Sequence, residues 1–428
     1  MCDTIVALPE ATADGAMLLA KNADTEVNEA QQILRFPARD YLPGAAVRVT
    51  HMTIPQALHT HEIILDRSFW SWGGEIGCNE HGVAIGDEAI FTNQRAEKDG
   101  VVVLDLLRLG LERATTAREA VDVIGAHVVQ FGQGGNCQMM GNYCFDSGLL
   151  IADRHEAWIV NCAGHHWAAR RARATEAISN RIQIGADWDL SSLTANGTKP
   201  DFRAMFVDPA REYDSGADER ESCAAGLLAA RRGSITMHDM AAVLRDVGDE
   251  ATYDVTEGDR STKLCMHAGP SPQRFWHATG AMITETRADS LVVWMTGTSA
   301  TDLSIFKPLF FGIPLPSVGL QPSGVDTDGT LWWRHERLHR RAMAHYREVK
   351  PEIRAEFDVL EREFHRQSET VRTGTLQEQS EFVEWCWQTA ASATDTLIER
   401  LQSRTYGFAH KGYGAMWERF NAEASLAL

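Results

Sequence analysis

The second residue of the chain is a cysteine. In "MCDTIVALPE", Cys2 follows Met1 directly and opens an apolar run. Methionine is normally excised before a residue as small as cysteine, and its removal would leave Cys2 with a free α-amine on the carbon that also bears the thiol. A thiolate is a strong nucleophile, and an α-amine titrates at about 7.7–8.0, close enough to neutrality to accept the thiol proton. A single residue then holds both nucleophile and base. "AKNAD" (20–24) supplies companions. A cation such as Lys21 beside a thiol lowers its pKa, and Asp24 can orient the α-amine. The plain alternative for Lys21 and Asp24 is a solvated strand end.

A second chemical pattern is "HERLH" (335–339), which fits H-E-x-x-H. On a helix, His335 and His339 stand one turn apart with Glu336 as a base, the arrangement of zinc peptidases. Arg334, Arg337, Arg340 and Arg341 surround it, and cations repel Zn²⁺. The segment therefore reads as a charged, exposed helix face with Trp332, Trp333 and Leu338 turned inward, and no metal is expected. His165 and His166 point to opposite faces of a strand and form no chelate.

Elements must position Cys2. "DTIVAL" (3–8) and "AMLLAK" (16–21), joined across Asp14-Gly15, read as a β-hairpin with Cys2 at the start of its first strand and "AKNAD" at the end of its second. "HGVAIGDEAIF" (81–91) is a third strand, with Gly82 and Gly86 permitting close approach. "VVVLDLLRLGLERA" and "AREAVDVIGAHVVQFG" are helices; Thr116 and Glu119 form a capping box for the second, and Gly132 follows its end. A β meander covers "SGLLIAD", "EAWIVNCAG", "HWAARRA" and "EAISNRIQIG". Thr236 caps a helix with Asp239 three residues on. "TGAMITE" and "SLVVWMTG" make a late hairpin. From about residue 329 the chain is helical, with Pro351 fitting the first turn of a second tail helix.

The chain has 428 residues, 44% hydrophobic and 23% charged, with a formal charge of −18. That balance offers no basic stripe for phosphates, so neither nucleic acid nor an anionic membrane is an expected partner. No run reaches the roughly 18 apolar residues of a membrane span. Asp3 and Glu10 oppose a secretory leader, and eight cysteines without a CxxC pair suit a reducing cytoplasm.

Six blocks in order, "MCDTIVALPEATADGAMLLAKNAD", "WSWGGEIGCNEHGVAIGDEAI", "GQGGNCQ", "EAISNR", "TGTSATDLSIFKPL" and "LWWRHERLHR", resemble the secernin-like cysteine dipeptidases. That family belongs to the N-terminal nucleophile hydrolases, with penicillin V acylases and bile-salt hydrolases. The resemblance implies an α+β fold, an αββα sandwich of two antiparallel sheets, and amide hydrolysis through a thioester acyl-enzyme. It implies Cys2 as nucleophile, Asp24 orienting its amine, and Asn79 and Asn180 donating N–H to the oxyanion. The acylases carry arginine where Lys21 stands; lysine keeps the charge without the fork of donors. A further basic residue of the acylases has no clear match, His267 being a candidate that also reads as a buried structural histidine. The aromatic stretch 69–75 is read either as cleft lining near Asn79 or as core.

Residues 1–320 are expected to form the catalytic unit. Residues 321–428 are expected to be a helical extension packed on it or on a second copy. A small peptide or other small amide is the expected substrate, with no cofactor or metal. An acylase for N-acyl amino acids or β-lactams stays open, as does a non-catalytic scaffold.

Overall fold

The computed structural model describes residues 1–95, 100–194, 197–326 and 329–428. In chain order the elements begin with β1 (Cys2–Ala7), β2 (Met17–Glu26), β3 (Gln31–Phe36), β4 (Ile63–Ser68), β5 (Ile76–Asn79) and β6 (Ala84–Ile90). Helices α1 (Val103–Arg113) and α2 (Ala117–Phe131) follow, then β7 (Asp146–Ala152), β8 (Ala157–Ala163), β9 (His166–Arg171), β10 (Thr175–Ile178) and β11 (Leu190–Ser191). Next come α3 (Phe202–Phe206), α4 (Pro209–Asp214), α5 (Ala217–Ala229) and α6 (Met237–Leu244). Strands β12 (Trp276–Thr286), β13 (Leu291–Met295) and β14 (Lys307–Leu309) complete the sheets. The tail holds α7 (Leu331–Met343), α8 (Tyr346–Val371), α9 (Leu376–Gln402) and α10 (Lys411–Glu423).

Two antiparallel sheets result. One has six strands in the order β10-β1-β2-β12-β13-β14; the other has eight, β11-β9-β8-β7-β6-β5-β4-β3. They stack with β1 and β12 against β6, β7 and β5. Helices α1 and α2 cover the outer face of the eight-stranded sheet, while α5 and α6 cover the six-stranded one. This is the α+β, four-layer αββα sandwich that the sequence reading expected.

Register decides which residues look inward. Cys2 faces Ala23 and Thr4 faces Lys21 across β1 and β2, so these four share a face. Thr4 donates to the Glu88 carboxylate of the opposite sheet, which makes this face the inter-sheet one. Asp3 and Asn22 take the other face. Asp3 accepts from Arg220 Nε of α5 at 2.9 Å, and Asn22 Nδ2 donates to Leu244 O at the end of α6 at 2.8 Å.

Strand β2 runs on through Asp24 to Glu26. Lys21 and Asp24 therefore lie inside a buried central strand, not at its end, because β12 pairs along the whole of β2 from Met17 to Glu26. The last strand of the expected meander is short, and β10 leaves that sheet to pair with β1. The caps hold at Thr236 and in part at Thr116. Thr116 accepts from Glu119 N, but the Glu119 carboxylate takes its hydrogen bonds from Thr115 instead. Helix α8 begins at Tyr346, five residues before Pro351, since His345 O already accepts from Glu348 N and Val349 N. One apolar cluster joins Ile5, Leu19 and Ile283 of the first sheet to Phe357, Trp387 and Trp417 of the tail.

Gly86 of β6 lies directly against Thr4 of β1, the strand that Cys2 begins. A Cβ there would lie 2.6 Å from Thr4 Oγ1 and 3.1 Å from Lys21 Cδ. Gly86→Ala should therefore destabilise the chain by about 1–3 kcal/mol, the usual cost of overpacking. Urea unfolding checks this; an unchanged midpoint would mean that the layers are not in contact there.

Candidate active site

Cys2 begins a central strand and is buried, so its thiol meets side chains from both sheets. Its Sγ lies 3.7 Å from Glu75 Oε2, which follows the aromatic stretch on the way into β5. It accepts from Asp24 N–H at 3.4 Å. Lys21, wholly buried, places Nζ 2.5 Å from Asp87 Oδ1, 2.7 Å from Glu75 O and 3.3 Å from Glu75 Oε2. Two carboxylates and one ammonium, all buried, thus cluster about the sulfur. Burial pushes the Cys2 thiol well above its ordinary range; Lys21 and the N-terminal ammonium pull it back, and Glu75 and Asp87 add to the rise. With Met1 attached, the thiol is a neutral S–H. For Lys21, burial favours the free amine, but Asp87, Cys2, Glu75 and Glu88 outweigh it and hold the ammonium charged.

Asn180 stands just past β10. Its Oδ1 accepts from Cys2 N at 3.0 Å and from Arg220 Nη2 at 2.5 Å. Two donors aimed at one atom fix which end of the amide is oxygen. The other end, Nδ2, donates to Ala89 O at 2.8 Å and keeps a second N–H. Arg220 is itself fully engaged. Its remaining donors go to Asp3, Ser179 Oγ, Ser215 O and Ser261 O. A guanidinium with every donor satisfied is a rigid fixture, and it holds Asn180 against the Cys2 nitrogen.

Asp24 lies beside the N-terminus. Met1 N donates to its backbone oxygen at 2.5 Å, while both carboxylate oxygens are buried and unpartnered. Burial, with Asp3 nearby, raises the Asp24 carboxyl to about 8.

Lys21, Asp24 and Asn180 therefore gather at Cys2, and Asn79 does not. Asn79 Nδ2 donates to Leu111 O and Ala114 O at the end of α1, and its Oδ1 accepts from His81 N and Val83 N. Its amide is spent on closing the β5–β6 turn against the outer helix layer, which removes it as an oxyanion donor. Trp70 and Trp72 also pack in the apolar cluster on that helix side, not beside Cys2. His267 bonds through Nε2 to Asp302 Oδ2 at 3.2 Å and is buried among other histidines, so it supplies no base to Cys2.

The H-E-x-x-H segment is not the exposed face expected of it. His335, Glu336, His339 and Arg340 of α7 are all buried. Glu336 pairs with Arg340 Nε at 2.7 Å and accepts from Ser299 Oγ, and His335 Nε2 lies 3.2 Å from Ser304 Oγ. His335 and His339 do not converge on one point.

Four contributors escaped the sequence reading: Glu75, Asp87, Glu88 and Arg220. The acid pair in "AIGDEAI" carried a signal, since charges inside an apolar strand are rare unless paired, and Lys21 in "LLAKNAD" is their match. Arg220 carried none, because "ADERESCAAG" reads as a solvated helix.

The raised Asp24 carboxyl sets a sign. An unfolded aspartate titrates at about 3.9, so between there and about 8 the folded chain holds a proton that the unfolded chain releases. This group therefore takes stability away as pH rises through that window. Asp24→Asn should flatten the fall in unfolding free energy between pH 5 and 8 seen in urea melts. An undiminished slope would place the charge elsewhere.

Residues 1–209 match the model of peptidase family C69. A dipeptidase of Bifidobacterium longum (strain NCC 2705) is 28% identical over 215 residues, 44% of this chain and 38% of the relative. The chain thus spans well under half the length of the curated relative it matches. Among solved structures, a mutant of the conjugated bile acid hydrolase from Clostridium perfringens aligns at 11% identity over 76% of this chain and 95% of its own, with a TM-score of 0.45. Penicillin V acylase from Agrobacterium tumefaciens aligns at 13% over 72% and 86%, with a TM-score of 0.42. The stretch that resembles peptidase family C69, residues 1–209, just under half of the chain, is the one that carries Cys2, Lys21, Asp24 and Asn180.

Proposed function

We propose that this chain is a cysteine-nucleophile amide hydrolase that cleaves short peptides, dipeptides first among them. The observation that carries the reading is the setting of Cys2: its sulfur lies within a buried lysine–carboxylate cluster, and its nitrogen is held by Asn180.

Hydrolysis of the Met1–Cys2 bond moves the chain's amine from Met1 to Cys2. Cys2 Sγ then attacks the substrate carbonyl carbon, and the thiol proton passes to the α-amine. Lys21 stabilises the thiolate that develops. The free N–H of Asn180 Nδ2 meets the oxyanion, a donor that gains most in the transition state. Collapse breaks the C–N bond, and the leaving amine takes the proton from the α-ammonium. Water, deprotonated by the same amine, cleaves the thioester and restores the thiol. Asp24 orients the amine through its carboxyl group.

Met1 marks the substrate pocket. Its side chain packs with Met266 and Trp276, with Tyr143 and Phe275 at the edge, in a cleft of about 170 Å³. That pocket is the proposed seat of the side chain on the acyl side of the cleaved bond. The catalytic unit is proposed to end near residue 320, since the described residues after 320 contribute no group to Cys2. The tail braces the sheet instead, through Trp387 Nε1 to Pro308 O and Arg372 to Glu285. A small peptide or amide is the proposed partner, and the cytoplasm the proposed location; among the described residues no helix is long and apolar enough to cross a membrane.

A panel of dipeptides and N-acyl amides tests this. Cys2→Ala should abolish turnover, a loss on the order of 10⁴-fold or more for a nucleophile, and Asn180→Ala should cost about 10²–10³ in kcat. Asn79→Ala should spare kcat while losing roughly 2–4 kcal/mol of stability, from four bonds at about 1 kcal/mol each. Wild-type turnover in Cys2→Ala, or in protein whose intact mass retains Met1, would overturn the mechanism. Hydrolysis of N-acyl amides alone would move the substrate class.

A further inference from the structure

The histidines that the proposed mechanism leaves aside form a cluster of their own. His267 lies on the segment leading into β12, His277 on β12 itself, and His339 on α7. All three are buried, and one ring nitrogen from each lies within 4.8 Å of the others. The rings of His277 and His339 stack with centroids 4.6 Å apart. His267 Nδ1, His277 Nε2 and both ring nitrogens of His339 have no hydrogen-bond partner. Buried polar atoms are nearly always paired, so unpartnered nitrogens on three neighbouring rings call for an occupant.

The outer nitrogen of one ring is anchored by a carboxylate: His267 Nε2 sits 3.2 Å from Asp302 Oδ2. His339 Nδ1 lies 3.3 Å from Glu336 Oε1, within ion-pair distance but outside hydrogen-bond geometry. A carboxylate on one nitrogen puts the proton there and leaves the lone pair on the other, which is the usual support of a metal-binding histidine. The carboxylates are held in turn: Asp302 by Tyr346 OH at 2.5 Å and Glu336 by Arg340. The third ring needs its proton on Nδ1, at the expense of one long bond, Ala268 N to His277 Nδ1 at 3.4 Å.

We propose that His267, His277 and His339 bind one divalent transition-metal ion of the zinc class. Three neutral imidazoles suit Zn²⁺ and its neighbours and exclude Ca²⁺ or Mg²⁺, which take oxygen ligands. Zn–N bonds of about 2.0–2.1 Å draw the rings inward by small rotations. A cleft of about 390 Å³ lined by Val247, Tyr253, Lys263, Met266 and His267 brings solvent to one ring of the cluster. The ion joins the tail to the central sheet, since His277 lies one residue before Ala278, the partner of Asp24 across β12 and β2. The site uses only one histidine of H-E-x-x-H and none of its zinc-peptidase geometry, and it does not touch Cys2.

Untagged full-length protein, incubated with Zn²⁺ and desalted, should hold one equivalent by elemental mass spectrometry. Co²⁺ in its place should give the visible absorption of a low-coordinate cobalt site, and stripping with chelator should lower the melting temperature. His277→Gln and His339→Gln should lose both the equivalent and the colour. The exposed group His61, Glu80 and His81 is the control. Removing His61 and His81 should leave the bound metal unchanged, and loss of the metal there would overturn the proposal. Folded His277→Gln or His339→Gln protein that still takes up one Co²⁺ would also overturn it. Should those variants fail to fold, the wild-type titration decides: substoichiometric Zn²⁺ and colourless Co²⁺ protein would mean that the cluster holds water or nothing.

Discussion

Lys21 carries an ammonium into the buried layer between two sheets, and the surroundings of Cys2 are built to keep it there. Taking an ion out of water costs several kcal/mol even after relaxation. Here the return comes from Asp87, from the Glu75 carboxylate and from the Glu75 backbone oxygen. The sandwich has to deliver all three. Strands β5 and β6 must bring their acids to β2, and Gly86 must lack a side chain so that the layers can approach. The Cys2 sulfur shares this space. Burial holds it in the neutral form, and Lys21 pulls it only part of the way back toward the anion.

The proposed base, the α-amine, is absent while Cys2 N is a peptide nitrogen. The structure shows the nitrogen already placed, with Asn180 Oδ1 at 3.0 Å and the Met1 ammonium on Asp24 O. Under the proposed mechanism, loss of one residue changes the chemistry at this nitrogen while its neighbours stay put. Arg220 secures this from α5, more than two hundred residues along the chain, by donating to the same Asn180 oxygen that accepts from Cys2 N. Such preorganisation is what an oxyanion donor needs, because a donor free to turn away loses its advantage.

Local signals were legible where a few neighbouring residues decide the structure. The opening hairpin, the Thr236 capping box and Gly132 after α2 could all be read directly from the chain. Lys21 and Asp24 could be set beside Cys2 from the hairpin, whereas Asn180 came only with the family resemblance. What could not be read depends on distant register. Asn79 sits directly before a turn, and only the packing of α1 against β5 shows that its amide is consumed there. The charges of "WWRHERLHR" look solvated because their partners, Ser299, Asn28 and Asn421, come from other elements. Pro351 looked like a helix start because proline favours the first turn, but the preceding residues also hold helical bonds. Arg220 among acidic neighbours gave no hint of burial.

The account stands or falls on a thioester at Cys2. Protein whose intact mass shows Met1 removed would be quenched in acid during turnover of a slow peptide or activated ester, then digested and mapped by mass spectrometry. The account predicts one acyl group on the peptide that begins with Cys2, and none in protein that keeps Met1. An acyl group on another thiol, such as the part-exposed Cys144 or Cys223, or turnover without any acylated cysteine, would contradict it.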